Sequence, residues 1–100
     1  MISRHWKGLA RVDCEVAYQD HLISDTFPAI RQIQGYVDAS IFKRSVANGV
    51  EFLIVTRWKS MDSIAKFAGE DAEAAVVPAK VRKMMVEFDA RVRHYEVVAV

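Results

Sequence analysis

GVEFLIVTRWKS, residues 49–60, is the stretch on which the fold turns. Side chains alternate with period two along a strand, so Phe52, Ile54, Thr56 and Trp58 share one face. Leu53 and Val55 lie on the other, between Glu51 and Arg57. A strand in a half-solvated sheet should be apolar on one side only. Both sides of this strand therefore need a cover.

SVANGVEF (45–52) places Asn48-Gly49 between two apolar-patterned runs, a hairpin signal. The strand 50–59 is expected to pair antiparallel with a strand 36–45 that opens after Gly35. Upstream, residues 2–10 form a first strand, and Asp13 caps a helix over 14–26 that Pro28 ends or bends. Downstream, Ser60 caps a helix through Ala68, with Gly69 at its C-terminal end. Residues 70–76 are open to another helical turn, and Pro78 suits the first turn of a helix over 78–89. RVRHYEVVAV (91–100) closes the chain as a fourth strand.

The order is β-α-β-β-α-β in a single domain, residues 1–100. This is the α+β ferredoxin-like arrangement, a four-stranded antiparallel sheet with its helices on one face. Helices cover one side of 50–59. A second copy, packed sheet to sheet as a dimeric α+β barrel, would cover the other. The competing reading takes Leu53 and Val55 as ordinary exposed apolar residues. Val37, Ile41, Val97 and Val98 repeat the two-sided pattern and favour a homodimer.

Composition narrows the function classes. Of 100 residues, 52% are hydrophobic and 27% charged, as in a folded globule. A formal net charge of +1 gives no basic footprint for nucleic acid. An RNA-binding module of the same strand order would need an aromatic-rich motif with Gly on the third strand, and VEFLIVTRWK lacks that spacing. No Gly-rich phosphate cradle follows the first strand, so an acylphosphatase-like reading also fails. The single cysteine, Cys14, implies no disulfide within the chain. No apolar run approaches a membrane span, and MISRHWKGLA has no signal-peptide core, so no membrane partner and a cytoplasmic location are expected.

VEFLIVTRWKSMDSIAKFAGEDAEAAV (50–76) resembles the antibiotic biosynthesis monooxygenase family of dimeric α+β barrels. Trp58 at the strand end, Ser60 at the turn and Phe67 near the helix end carry the match. IQGYVDASIFKR (33–44) and HYEV (94–97) extend it over nearly the whole chain. The resemblance implies a homodimer with a pocket in each subunit between sheet and helices. It also implies activities such as oxygen insertion into polycyclic aromatic phenols without metal or flavin, quinol oxidation, or haem degradation. The haem-degrading branch draws an Asn, a Trp and a His from the first strand, the short helix and the segment after it. Here Asn48 belongs to the hairpin, Phe67 stands where that Trp would be, and no His lies between His21 and His94. Haem degradation by that chemistry is not expected, and no cofactor is.

Plotted at 100° per residue, Cys14, Ala17, Tyr18, His21, Leu22 and Asp25 share one face of the first helix. His21 can act as a general base near neutral pH, and Tyr18 can donate a hydrogen bond to a developing oxyanion. A cofactor-free oxygenase needs such a pair. The alternative is a core His and Tyr satisfied by nearby backbone or Asp25. Trp6, Trp58 and Phe67 are candidate pocket walls or core. Arg4 and Arg57 could reach an anionic group of a small aromatic ligand, or form exposed ion pairs. His94 and Glu96 share one face of the last strand, Arg93 and Tyr95 the other; a metal pair there lacks further ligands. Two functions stand: a monooxygenase-like enzyme for a small aromatic or quinone-type metabolite, or a non-catalytic barrel binding an apolar ligand or serving as a stress-response accessory.

Overall fold

The computed structural model describes all residues from Met1 to Val100. Strand β3 (Gly49–Trp58) lies inside the sheet. It pairs antiparallel with β2 (Tyr36–Val46) on one side and β1 (Ile2–Ala10) on the other. The registers Ile41↔Ile54 and Trp6↔Ile54 align three side chains on the helix-facing side. Val50, Phe52, Ile54, Thr56 and Trp58 are all buried there. The strand order is β2-β3-β1-β4, the ferredoxin-like sequence, and β5 also pairs with β1.

The β2–β3 hairpin forms, but its turn residues are Ala47 and Asn48, because Val46 pairs with Gly49. Neither turn residue has a positive φ. Gly49 is needed for close approach: a Cβ there would lie 2.4 Å from the Ala10 carbonyl oxygen.

The first helix runs further than the sequence pattern indicates. A 3₁₀ turn at Val12–Cys14 leads into α1 (Glu15–His21), a π-helical turn at Leu22–Thr26, and α2 (Phe27–Ile30). Pro28 neither ends nor breaks this run. A proline ring collides with the carbonyl four residues earlier. Here the Phe27 N–H donates to Leu22, five residues back, and the widened turn makes room. After β3, Ser60 caps α3 (Met61–Ala68) by accepting from the Ser63 N–H at 3.3 Å.

Three further expectations are corrected. The helix over 78–89 is only α4 (Ala79–Arg82); Met85–Phe88 forms strand β4 against Gly8–Ala10. The outer edge of β1 offers unpaired backbone groups, and the Arg11 N–H to Met84 and Asp89 N–H to Lys7 bonds, both 2.9 Å, capture the chain as strand. Residues 70–76 form a turn and an extended strap, not a helix; Ala74 bridges Arg91 and the Val92 N–H bonds Glu73. Strand β5 (Arg93–Glu96) is shorter than 91–100, and one further bond, from the Val97 N–H to the Met1 carbonyl at 3.0 Å, follows it.

Two core clusters form under the helices. One centres on Tyr18, Phe52, Ile54 and Met85, the other on Ile30, Trp58 and Ile64. On the open face of the sheet, Phe42 and Tyr95 are about half exposed. Val55, flanked there by His5 and Ser40, is already 4% exposed within one chain. No helix is long and apolar enough to cross a membrane.

Candidate functional site: a pocket between sheet and helices

A cavity of about 290 Å³ opens where the two core clusters fail to meet, lined by Tyr18, Leu22 and Val81 of one and Ile30 of the other. Its floor is the helix-facing side of β1 and β3, through Arg4, Trp6, Ile54 and Thr56. The π turn and α2 supply one wall, with Asp25, Thr26 and Phe27. Phe67 closes one side, and Val76, Val77 and Pro78 of the strap close another. Twelve of the 18 lining residues are hydrophobic, so polar groups inside stand out.

Tyr18 and His21, one turn apart, both face this space. Tyr18 is 3% exposed and packs edge-on against Phe52 at 4.9 Å. Burial pushes its hydroxyl well above the ordinary phenol range, so it stays protonated as a hydrogen-bond donor. His21 Nδ1 lies 3.3 Å from Asp25 Oδ2, near enough for attraction but not aligned as a hydrogen bond. It is the one side-chain nitrogen or oxygen wholly shut off from solvent that lacks a hydrogen-bond partner.

Arg4 is 4% exposed. Its Nη1 donates to the Ala72 carbonyl and, at 2.9 Å, to His94 Nε2, while Nη2 donates to the Ala74 carbonyl at 3.0 Å. Its guanidinium carbon sits 5.6 Å from the centre of the Phe67 ring. Desolvation pushes its pKa down to about 10, still a cation at neutral pH. Because Arg4 can only donate, His94 Nε2 is the acceptor and His94 is neutral in this pair. Burial first, then the Arg4 charge, holds the His94 imidazole below its ordinary range.

Of the residues singled out in the sequence, Arg4, Trp6, Tyr18, His21 and Phe67 share this pocket. Two do not line it. His94 stands behind Arg4. Trp58 is fully buried, stacked on Phe67 with ring centres 5.9 Å apart, and donates to Thr56 Oγ1 at 2.8 Å. Arg57 lies on the opposite sheet face, paired with Asp38 at 2.6 Å. The His94 side of β5 faces the helices, since His94 pairs with Arg4; Tyr95 therefore faces outward and meets His5 edge-on at 4.8 Å. The Ala72 and Ala74 carbonyls that hold Arg4 were not foreseeable from side-chain identity. The strap's own signal was its anchor, the Arg91 pair with Asp71 at 2.9 and 3.0 Å.

No family model matches the chain, and no curated protein does. Solved structures do. A candidate antibiotic biosynthesis monooxygenase from Bacillus cereus superposes with a TM-score of 0.69 at 13% identity, covering 99% of this chain and 94% of that one. The fold is that of the antibiotic biosynthesis monooxygenases. A second candidate of that type, from Deinococcus radiodurans, gives 0.64 at 16% identity, covering 100% and 95%. The haem degrader MhuD from Mycobacterium tuberculosis, solved with two haems bound, gives 0.69 at 13%, covering 100% and 98%.

The pocket residues do not fit a haem. Ligand pockets run from ~300 to 1,000 Å³, and this cavity lies at the bottom of that range. Its only lining imidazole, His21, comes from the first helix and stands against Asp25 at 3.3 Å.

Proposed function

We propose that this protein is a monooxygenase-like enzyme that works without metal or flavin on a small aromatic or quinone-type metabolite, as a homodimer. The observation that carries the reading is that Tyr18 and His21 line one largely apolar pocket between sheet and helices. In this scheme His21 accepts a proton from a phenolic substrate, and the Tyr18 hydroxyl donates to the resulting oxyanion. The apolar walls exclude water while dioxygen reacts with the electron-rich ring. For a methylene oxidised to a carbonyl, one oxygen atom stays in the product. The other leaves as water with the two methylene hydrogens.

The open sheet face supports the homodimer: Phe42 and Tyr95 are exposed there beside the Arg44–Glu51 and Arg57–Asp38 pairs. Oxygen uptake with naphthol- and anthrone-type probes, each first shown to bind, tests the enzyme reading. Uptake that disappears in His21→Ala, with probe binding kept, is the expected result. Binding without any uptake by the native protein would instead establish the non-catalytic ligand-binding barrel.

A further inference from the structure

Arg4 is a buried charge without a countercharge. A guanidinium carries five N–H donors. Three are used, on the Ala72 and Ala74 carbonyls and on His94, and every one of those partners is neutral. One Nη2 hydrogen and the Nε hydrogen remain uncommitted within the protein, on a side chain that lines the pocket. Burying an ion is costly unless it is paired, so an arginine held this way is half of an interaction.

The other charged groups near the pocket do not supply the missing half. Asp25 sits at the mouth with its carboxylate more than half exposed, 3.3 Å from His21 and 4.0 Å from Lys80. The interior therefore carries the Arg4 charge, and the mouth is close to balanced. The Phe67 ring lies beneath the guanidinium, and Trp6 lines the same pocket further along β1.

We infer that the pocket selects a small aromatic ligand bearing a planar oxyanion, a carboxylate or phenolate, which seats on the free N–H groups of Arg4 while its ring packs among Trp6, Phe27 and Phe67. This deepens the pocket reading above and rests on it. The strap carbonyls and His94 hold the guanidinium in place before the ligand arrives, so little ordering is needed on binding. A guanidinium beside a phenol also favours its ionised form, the form that reacts with dioxygen.

Calorimetric titration at pH 7.5 with 2-naphthoate and its neutral counterpart 2-naphthamide tests the inference. A charge-assisted contact of this kind predicts naphthoate binding about tenfold to a hundredfold more tightly to the native protein. Arg4→Met should erase that preference while keeping naphthamide binding. Arg4→Lys, which retains a charge but not the fork, should keep part of it. Equal affinity of the native protein for the two probes would overturn the anion seat and leave the pocket reading standing. An undiminished preference in Arg4→Met would assign the selectivity to another group and overturn the role of Arg4. Binding of neither probe would remove the pocket as a ligand site and this inference with it. If Arg4→Met does not fold, as judged by its thermal melt, the native comparison and Arg4→Lys decide between the same outcomes.

Discussion

At the scale of single residues, burial decides which polar groups can do chemistry and which hold structure. Trp58 is fully buried between Tyr36, edge-on at 5.7 Å, and Phe67. Trp58→Ala should cost about 3–5 kcal/mol, measured by urea unfolding; an unchanged midpoint would mean that the ring is not packed in solution. His94 and His5 both have imidazoles held below the ordinary value of about 6.5, each by burial first, with Arg4 and Arg57 as the next causes. The unfolded chain therefore binds more protons in the window from that ordinary value down to the lowered ones. Stability must fall as the pH drops through that window. Melting temperatures from pH 7.5 to 5 should decline, and His94→Gln, which keeps an acceptor for Arg4, should flatten part of the slope. A native profile without slope would show that these imidazoles are not perturbed.

At the scale of elements, the sequence revealed most where the pattern has one period and a local cap. β1, β3 and α3 were recovered nearly to the residue because alternation, the hairpin signal and Ser60 agree. KMMVEF (83–88) reads as helix or strand alike because a short apolar run fits either period; what decides it is the unpaired edge of β1, a partner distant in the chain. The π turn was hidden for a related reason. Pro28 announces a conflict but not its solution, and the solution brings Asp25, Thr26 and Phe27 to the pocket. The helix stripe places Tyr18 and His21 on one face, and both line the pocket, whereas the holders of Arg4 are backbone carbonyls that no side-chain pattern encodes. The hairpin makes its own prediction. A Cβ on Gly49 would meet the Ala10 carbonyl at 2.4 Å and Leu9 Cδ1 at 3.0 Å. Gly49→Ala should push β1 and β3 apart and cost about 1–3 kcal/mol in urea unfolding. A variant as stable as the parent would show that the two strands have room to shift there.

At the scale of the whole molecule, the question raised by Leu53 and Val55 divides. Val55 is covered by its own sheet neighbours, so it makes no demand on a partner. Phe42 does: it lies opposite Leu53 on the open face and is 52% exposed. Tyr95, exposed on the same face at the other side of the sheet, extends the apolar area, and the charged pairs at Arg44–Glu51 and Arg57–Asp38 give that area polar surroundings. An apolar centre with polar groups around it is the anatomy of a protein interface. In the proposed homodimer a second copy would satisfy it with the same surface on both sides. Phe42→Lys places a charge at that seam without touching the helix-side core or the pocket. Native mass spectrometry at micromolar concentration should show the parent as a dimer and Phe42→Lys shifted to monomer, with its circular dichroism spectrum unchanged. A dimer that survives the substitution would place the interface on another surface. A monomeric parent would mean that this sheet face is solvated, with Phe42 and Tyr95 as ordinary exposed aromatics.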